Sequence, residues 1–316
     1  MSEKIPILIL VGPTAVGKTS TSIAVAEKLD GEIVSSDSMQ IYKHMDIGTA
    51  KVTTEEMQGI KHYMIDEILP DEKFSVSDFQ EKANHYIKNI YAKDKLPIVV
   101  GGTGLYVNSL VYDLDFSKTV SNEDFRKKCE NDIQKFGNEY LYEKLKKIDP
   151  DSLDRIHMND TKRLIRALEI FHETGEPMSK YSKNFRRPSP LYEIIMIGLN
   201  RDRKQLYDRI NLRVELMLEE GLVDEVKSLL EKGYDKDLTS MQGLGYKEVI
   251  KYLNNEYDYE EAIRVLKRDS RRFAKRQLTW FRRDKRIKWI NVDEFDNHQD
   301  IMREIVDYAK KNLELI

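Results

Sequence analysis

The sequence contains a single cysteine, Cys129, among 316 residues, and this scarcity excludes several classes of protein. One thiol cannot build an internal disulfide framework, a cysteine-rich zinc site or a cysteine-ligated iron–sulfur cluster. The six histidines show no metal-ligand spacing, so a histidine metal site is not expected either. We therefore predict a cytoplasmic protein in which Cys129 belongs to a core or to an inert surface.

Long hydrophobic runs are also missing. The longest apolar segments, 5–11, 98–100 and 194–197, are far shorter than the roughly 18 residues needed to span a membrane. The first of them ends in a glycine-rich loop, so we expect a buried strand there and no signal peptide. The remaining composition, 40% hydrophobic and 34% charged, is typical of a globular enzyme with roughly two domains.

The net charge is only −3, but positive charge is concentrated in one segment. Between Arg264 and Lys288, twelve basic residues, eight of them arginine, stand against two acidic ones. Apolar positions recur there at spacings of three and four, which predicts an amphipathic helix. Its cations either form a solvated face or bind the phosphate backbone of a nucleic acid. Nucleic-acid binding is favoured because arginine dominates and aromatic residues are interleaved.

A complete G-x-x-x-x-G-K-T loop follows the first predicted strand. Gly12 and Gly17 permit its tight turn, Lys18 supplies a point charge, and the hydroxyl of Thr19 is suited to hold Mg²⁺. A helix predicted from Thr19 directs the positive end of its dipole at the same anion. The residues expected to bind phosphate are Gly12, Pro13, Thr14, Ala15, Val16, Gly17, Lys18 and Thr19.

Strands and helices alternate in the first third of the chain, which predicts an α/β fold with a P-loop NTPase-like parallel sheet core. The predicted strands are 5–11, 31–35, 97–100 and 193–199. Between 117 and 190 the apolar spacing is purely helical, so we expect a helical insertion domain there. The core would then comprise 1–116 and 191–316, with helices after its last strand.

Two polar segments follow predicted strand ends and are therefore expected beside the phosphate loop. Asp37 in the first fits a Mg²⁺ ligand, a general base or a helix cap. The second, 101–106, is glycine-rich and fits a helix start or a close backbone approach to a ligand. Arg209 and Arg213, four residues apart on one helix face, are either an anion clamp or two solvated arginines.

Seven motifs follow one another in a fixed order along nearly the whole chain. They are the phosphate loop and the segments 36–51, 74–79, 100–106, 163–169, 245–247 and 274–282. Together they resemble the bacterial tRNA dimethylallyltransferase (tRNA isopentenyltransferase) family. The segment around Asp37 and the final basic helix are the more specific motifs, because the phosphate loop occurs in many nucleotide enzymes.

The resemblance implies transfer of a dimethylallyl group from dimethylallyl diphosphate to N6 of the adenosine 3′ of the anticodon. The tRNAs would be those that read codons starting with U, and diphosphate would leave. The phosphate loop would hold that diphosphate with Arg209, and Mg²⁺ would sit at Thr19. Asp37 would be the general base, with Thr103 and Arg213 completing the catalytic set. The implied partners are dimethylallyl diphosphate and the tRNA anticodon stem-loop, without a membrane, and we expect a monomer.

The family's tRNA contacts map onto the Asp37 segment, Thr103 and the insertion, and the basic helix is expected to bind phosphates. The predicted tRNA-binding residues are Asp37, Ser38, Met39, Gln40, Thr103, Arg126, Lys162, Arg163, Leu164, Ile165, Arg166, Lys275 and Arg276. Three alternatives share part of this pattern: a P-loop nucleotide or small-molecule kinase, an isopentenyltransferase acting on free adenylate, and a non-catalytic RNA-binding module. The kinase leaves the basic helix and the insertion unexplained.

Overall fold

The computed structural model describes residues 4–114, 121–182 and 187–313. The chain divides into two compact units. We call Met1–Val111 together with Pro190–Ile316 the core unit, and Tyr112–Ser189 the insertion unit. The domain boundary expected between 116 and 117 lies outside the described residues.

The described part of the core unit is built around a six-stranded parallel sheet with strand order β3-β2-β4-β1-β5-β6. The strands are β1 (Ile5–Val11), β2 (Gly31–Ser35), β3 (His62–Tyr63), β4 (Leu96–Gly101), β5 (Tyr192–Asn200) and β6 (Lys288–Asn291). β1 lies between β4 and β5 and is apolar along its whole length, as a strand covered on both faces requires. The predicted α/β core with a parallel sheet is confirmed.

Helices flank this sheet and make up most of the insertion unit. In chain order they are α1 (Lys18–Lys28), α2 (Thr54–Met57), α3 (Val76–Tyr91), α4 (Gly104–Val111), α5 (Glu123–Phe136), α6 (Asn138–Ile148), α7 (Thr161–Thr174), α8 (Met178–Ser182), α9 (Arg203–Glu219), α10 (Leu222–Glu231), α11 (Tyr246–Leu253), α12 (Tyr259–Phe281) and α13 (His298–Asn312), with 3₁₀ turns at Pro150–Asp154 and Val292–Glu294. In the part of the chain that the structure covers, none of these helices has the length and apolarity to cross a membrane.

The end of the basic segment differs from the prediction. We expected one helix from Arg264 to Lys288, but α12 ends at Phe281 and Lys288 begins β6. The short strand pairs with β5 along its length and buries Ile290, which the charge pattern does not reveal. The prediction of helix through Lys288, and of an entirely helical region after β5, is therefore wrong.

The insertion unit has its own small core, and the predicted helical insertion is confirmed. α5, α6 and α7 pack together around buried side chains that include Cys129, Leu141 and Leu164. The two ends of the unit meet, because Tyr112 and Pro188 form an antiparallel bridge. The backbone N–H of Asp113 donates a hydrogen bond to the carbonyl oxygen of Arg187, at 2.8 Å, beside that bridge.

Candidate active site

The phosphate loop lies at the carboxyl end of β1, the edge at which parallel α/β sheets bind ligands. Gly12 has no room for a side chain, since a Cβ there would stand 2.7 Å from the carbonyl oxygen of Leu199 in β5. Gly17 adopts a left-handed conformation, with φ of 110°, directly before α1. Both glycines predicted from the motif are therefore required by the local geometry.

Lys18 is folded back over this loop. Its ammonium donates hydrogen bonds to the carbonyl oxygens of Gly12, at 3.0 Å, and Pro13, at 2.8 Å. Burial and the positive charge of Arg213 lower the pKa of Lys18 to about 7, although the Asp37 carboxylate acts in the opposite direction. Because an anion beside Lys18 would restore its ordinary pKa, the loop has the electrostatics of a phosphate site.

Two arginines of α9 reach the same loop. The Nε of Arg209 donates to the carbonyl oxygen of Ala15 at 2.9 Å, and Nη1 of Arg213 lies 3.4 Å from the hydroxyl of Thr14. Burial and the neighbouring Arg209 lower the pKa of Arg213. Neither guanidinium forms an ion pair with a carboxylate among the described residues. Three cations thus converge on one loop, which favours the anion clamp over two solvated arginines.

Asp37 follows β2 and is partly buried. Its Oδ1 accepts a hydrogen bond from the backbone N–H of Met39 at 2.9 Å. Burial raises the pKa of Asp37, while the Met39 N–H and the charge of Lys18 act against that rise. The carboxylate therefore caps its own turn and also has the raised proton affinity that suits a general base.

Thr103 joins the two polar segments that follow β2 and β4. Its hydroxyl oxygen accepts the backbone N–H of Ser38 at 3.0 Å, and its own N–H donates to the carbonyl oxygen of Ser36 at 3.2 Å. The same hydroxyl lies 3.3 Å from the Ser38 hydroxyl. The structure thus brings Thr103 next to Asp37, as expected for segments at neighbouring strand ends.

Segment 101–106 needs its glycines because side chains from α12 pack directly on its backbone. A Cβ on Gly102 would stand 2.0 Å from Nε2 of Gln277, and one on Gly104 would stand 2.2 Å from the indole of Trp280. Gly104 is also the first residue of α4. The segment is therefore a helix start and a close backbone approach, but the approaching group is α12.

Gln277 is a site residue that sequence reasoning missed. Its Oε1 accepts the backbone N–H of Thr14 in the phosphate loop at 2.9 Å. Its Nε2 donates to the carbonyl oxygen of Gly102 at 3.1 Å. Gln277 falls at one of the positions, spaced by three and four, that predict the buried stripe of the basic helix. Its amide among buried apolar positions was the signal available in the sequence.

The cations of the basic segment fall into two groups. Arg268 and Arg272 share the carboxylate of Asp269, at 2.8 and 3.4 Å. Lys275 and Arg276 are exposed and form no ion pair within the described residues. The exposed cations after α12 that likewise lack an ion pair there are Arg282, Arg283 and Lys285.

In the insertion unit, the predicted run 162–166 divides between surface and core. Lys162 and Arg163 are exposed and Arg166 is partly buried. The side chains of Leu164 and Ile165 are only 0% and 7% exposed and pack in the core of the unit. The apolar face of α7 turns these two side chains inward, and a contact of the two residues with tRNA stays a prediction.

Arg126 and Arg166 have a carboxylate partner inside the insertion unit. Nε and Nη2 of Arg126 lie 2.6 and 3.0 Å from the two oxygens of Glu169, and Arg166 lies 2.5 Å from the second oxygen. Glu169 is fully buried. Burial alone would raise the pKa of Glu169, but the hydrogen bonds from both arginines outweigh it and lower that pKa. The arginines therefore stabilise the fold of this unit.

Thr19 is exposed at the start of α1. The described residues contain no group of three or more His, Cys, Asp or Glu side chains able to hold a metal ion. A hydroxyl oxygen is a suitable ligand for Mg²⁺, which keeps several waters and takes other ligands from substrate phosphates. Mg²⁺ at Thr19 stays a prediction.

Comparisons with known proteins all identify similarity to transferases of one family. The model of the IPP transferase family matches residues 40–284. The tRNA dimethylallyltransferase of Acetivibrio thermocellus is 54% identical over 96% of both chains, and that of Clostridioides difficile is 52% identical over 98% of this chain and 99% of its own.

Solved structures show the same likeness. The tRNA isopentenylpyrophosphate transferase of Bacillus halodurans is 46% identical, with a TM-score of 0.75 over 98% of this chain and 97% of its own. A eukaryotic dimethylallyltransferase acting on tRNA is 28% identical, with a TM-score of 0.80 over 98% of this chain and 79% of its own.

Proposed function

The chain belongs to the tRNA dimethylallyltransferase family, and we propose that it transfers a dimethylallyl group from dimethylallyl diphosphate to N6 of a tRNA adenosine. The acceptor is the adenosine 3′ of the anticodon in tRNAs that read codons starting with U. The observation that carries this proposal is the convergence of Lys18, Arg209 and Arg213 on a phosphate loop beside Asp37.

The phosphate loop holds the diphosphate of the donor. Its backbone N–H groups and Lys18 bind the phosphate oxygens, and Arg213 stabilises the negative charge that grows as the C–O bond to the allyl group breaks. Arg209 holds the loop itself through the carbonyl oxygen of Ala15. These cations lack carboxylate partners among the described residues, so no ion pair must break before diphosphate charge is stabilised.

Asp37 accepts the proton that N6 loses when it attacks the allylic carbon. The exocyclic amine is a weak nucleophile, so a positioned base contributes about 10²–10⁴ in rate. Thr103 lies within hydrogen-bond reach of the Asp37 segment and orients the adenine or the diphosphate. The target base leaves its stack in the anticodon loop to reach these groups.

Mg²⁺ would be held by the Thr19 hydroxyl together with diphosphate oxygens and water. Bound there, the ion neutralises charge on the leaving diphosphate. The exposed position of Thr19 leaves room for such a shell.

The tRNA anticodon stem-loop binds through exposed cations of both units. Lys275 and Arg276 contact backbone phosphates, and Lys162 and Arg163 contribute from the insertion unit. Ser38, Met39 and Gln40 line the position of the flipped base beside Asp37. We propose that the protein acts as a monomer in the cytoplasm, where its tRNA substrate is found.

A P-loop kinase is not favoured. Its phosphate loop would serve ATP, but the relatives over nearly the whole chain are named for prenyl transfer to tRNA. The basic face of α12 also has no use in a small-molecule kinase.

The test is transfer of labelled dimethylallyl from its diphosphate to an unmodified anticodon stem-loop with Mg²⁺. Wild type is compared with Asp37→Ala and Asp37→Asn, the second of which keeps an oxygen for the Met39 N–H. We expect both variants to lose about 10²–10⁴ in single-turnover rate while stem-loop affinity is retained. Wild-type kcat/KM should rise as pH rises through the raised pKa of Asp37, and this limb should vanish in Asp37→Asn.

Other outcomes would redirect the assignment. Label on free AMP alone would indicate an adenylate prenyltransferase, and ATP turnover without label would indicate a kinase. Binding of the stem-loop without transfer would leave a non-catalytic RNA-binding module. Full activity of Asp37→Asn would remove the base assignment without touching the reaction.

A further inference from the structure

The side chain of Gln277 connects two loops that are distant in sequence. As described above, it accepts from the Thr14 N–H and donates to the Gly102 carbonyl. Gln277 itself is only 6% exposed, so water does not compete readily for these two bonds. One neutral amide thus holds the phosphate loop and the segment that carries Thr103 at a fixed separation.

The packing around Gln277 leaves little freedom. Gly102 and Gly104 lack the side chains that would collide with Gln277 and Trp280. The helix start at Gly104 is therefore seated directly on α12. A shift of α12 along its axis would displace the segment that carries Thr103 together with the phosphate loop.

The residues just before Gln277 in the chain are the exposed cations Lys275 and Arg276. They share a turn of α12 with Gln277, and a phosphate bound to them restrains that turn directly. Gln277 itself is buried and forms its hydrogen bonds to the two loops of the site. The same helical turn therefore carries charge for RNA on one side and hydrogen bonds to the donor site on the other.

We propose that Gln277 is a positioning residue that couples binding of tRNA on α12 to binding of diphosphate in the phosphate loop. This inference rests on the proposed function for the identity of the two ligands. Coupling requires that each ligand increases the affinity for the other by the same factor, since linkage is reciprocal. When bound tRNA restrains α12, it also restrains the hydrogen bonds of Gln277 to Thr14 and Gly102. The donor site is then already in its binding conformation when diphosphate arrives.

Two variants remove one or both of these hydrogen bonds. Gln277→Glu keeps an acceptor for the Thr14 N–H but places a carboxylate against the Gly102 carbonyl. Gln277→Leu removes both bonds at similar volume. Ser270→Ala is the matched control, because Ser270 is buried on the same helix, 6% exposed, away from either loop.

The experiment measures the affinity of the full-length protein for inorganic diphosphate with Mg²⁺, by calorimetry, with and without unmodified anticodon stem-loop. For wild type and Ser270→Ala we expect the stem-loop to tighten diphosphate binding about 5-fold or more, within the usual range of such coupling. Gln277→Leu should bring this factor close to 1, and Gln277→Glu should lie between. Single-turnover rates at saturating substrates should fall in the same order.

Diphosphate binding needs no transfer, which separates this inference from the proposed function. If wild type transfers no prenyl group but the stem-loop still tightens diphosphate in a Gln277-dependent way, the proposed reaction fails and the coupling stands. Equal coupling factors in wild type and Gln277→Leu would overturn the inference even if transfer is normal. A wild-type factor of 1 would overturn it as well. Circular dichroism and Gln277→Glu guard against a folding defect of the leucine variant.

Discussion

Arginine pairs serve opposite purposes in the two units. In the core unit, Arg209 and Arg213 contact a carbonyl and a hydroxyl of the phosphate loop and no carboxylate among the described residues. In the insertion unit, Arg126 and Arg166 surround the buried carboxylate of Glu169. From the sequence we expected all four to bind substrate, the first pair at the diphosphate and the second pair on the tRNA.

The difference teaches that a carboxylate within reach decides what an arginine does. Burial and a like charge lower the pKa of Arg213, so its charge is unfavourable to the fold and available to a ligand. Hydrogen bonds to Glu169 raise the pKa of Arg126, so its charge is already committed. Variants in the core unit should therefore change activity, and variants in the insertion unit should change stability.

The largest effect is expected from removing both arginine partners of Glu169. Arg126→Ala with Arg166→Ala leaves a fully buried carboxylate unpaired, which should destabilise the insertion unit by about 3–5 kcal/mol. Hydrogen exchange of the amides of α7 measures the loss within the intact chain. Adding Glu169→Gln should restore much of the protection, because the buried charge is then absent. Unchanged exchange in the double variant would show that this ion pair carries no stability.

Arg213→Ala should show the opposite pattern. We expect single-turnover transfer to fall about 10²–10³-fold, the usual effect of losing one group that stabilises developing negative charge. The melting temperature should stay level or rise, since a buried cation without a carboxylate is removed. Arg213→Lys, which keeps the charge but not the fork, should be intermediate. A loss of activity that merely follows a loss of folded protein would break the comparison.

The smallest effect concerns the two groups of cations on α12. Replacing Lys275 and Arg276 with alanine should flatten the salt dependence of stem-loop binding by about 1–2 in log–log slope, as expected for one or two phosphate contacts. Arg268→Ala with Arg272→Ala is the control, because Asp269 already neutralises much of that charge. Equal flattening by both double variants would mean that internal ion pairing does not decide which cations meet RNA.

The core fold was predictable because its signals are long and local. β1, β4 and β5 contain apolar runs bounded by turn residues, and these three strands were predicted to within one residue at each end, as was the shorter and more polar β2. β3 and β6 have two and four residues, and pairing in the sheet, not local preference, makes them strands. The basic segment that ends at Lys288 predicted a helix, but pairing with β5 makes residues 288–291 a strand.

The site was predictable where a motif dictates backbone geometry and less so where distant residues meet. The phosphate loop and the neighbouring Asp37 and Thr103 segments lie together as strand-end positions imply. Glu169 and Gln277 were missed, because Arg126 lies 43 residues from Glu169 and Thr14 lies 263 residues from Gln277. Each is a polar side chain on a buried helix face. A polar residue at a position whose spacing predicts burial was the only signal in the sequence for either of them.

The bridge between Tyr112 and Pro188 has a consequence for how the chain is assembled. The insertion unit begins and ends at neighbouring points. The connection from β4 to β5 therefore enters and leaves this unit at nearly the same place. Closing a loop has an entropic penalty that grows only with the logarithm of its length, and here the insert's own fold closes it. The core unit can thus fold as though the insertion unit were a short turn between α4 and β5.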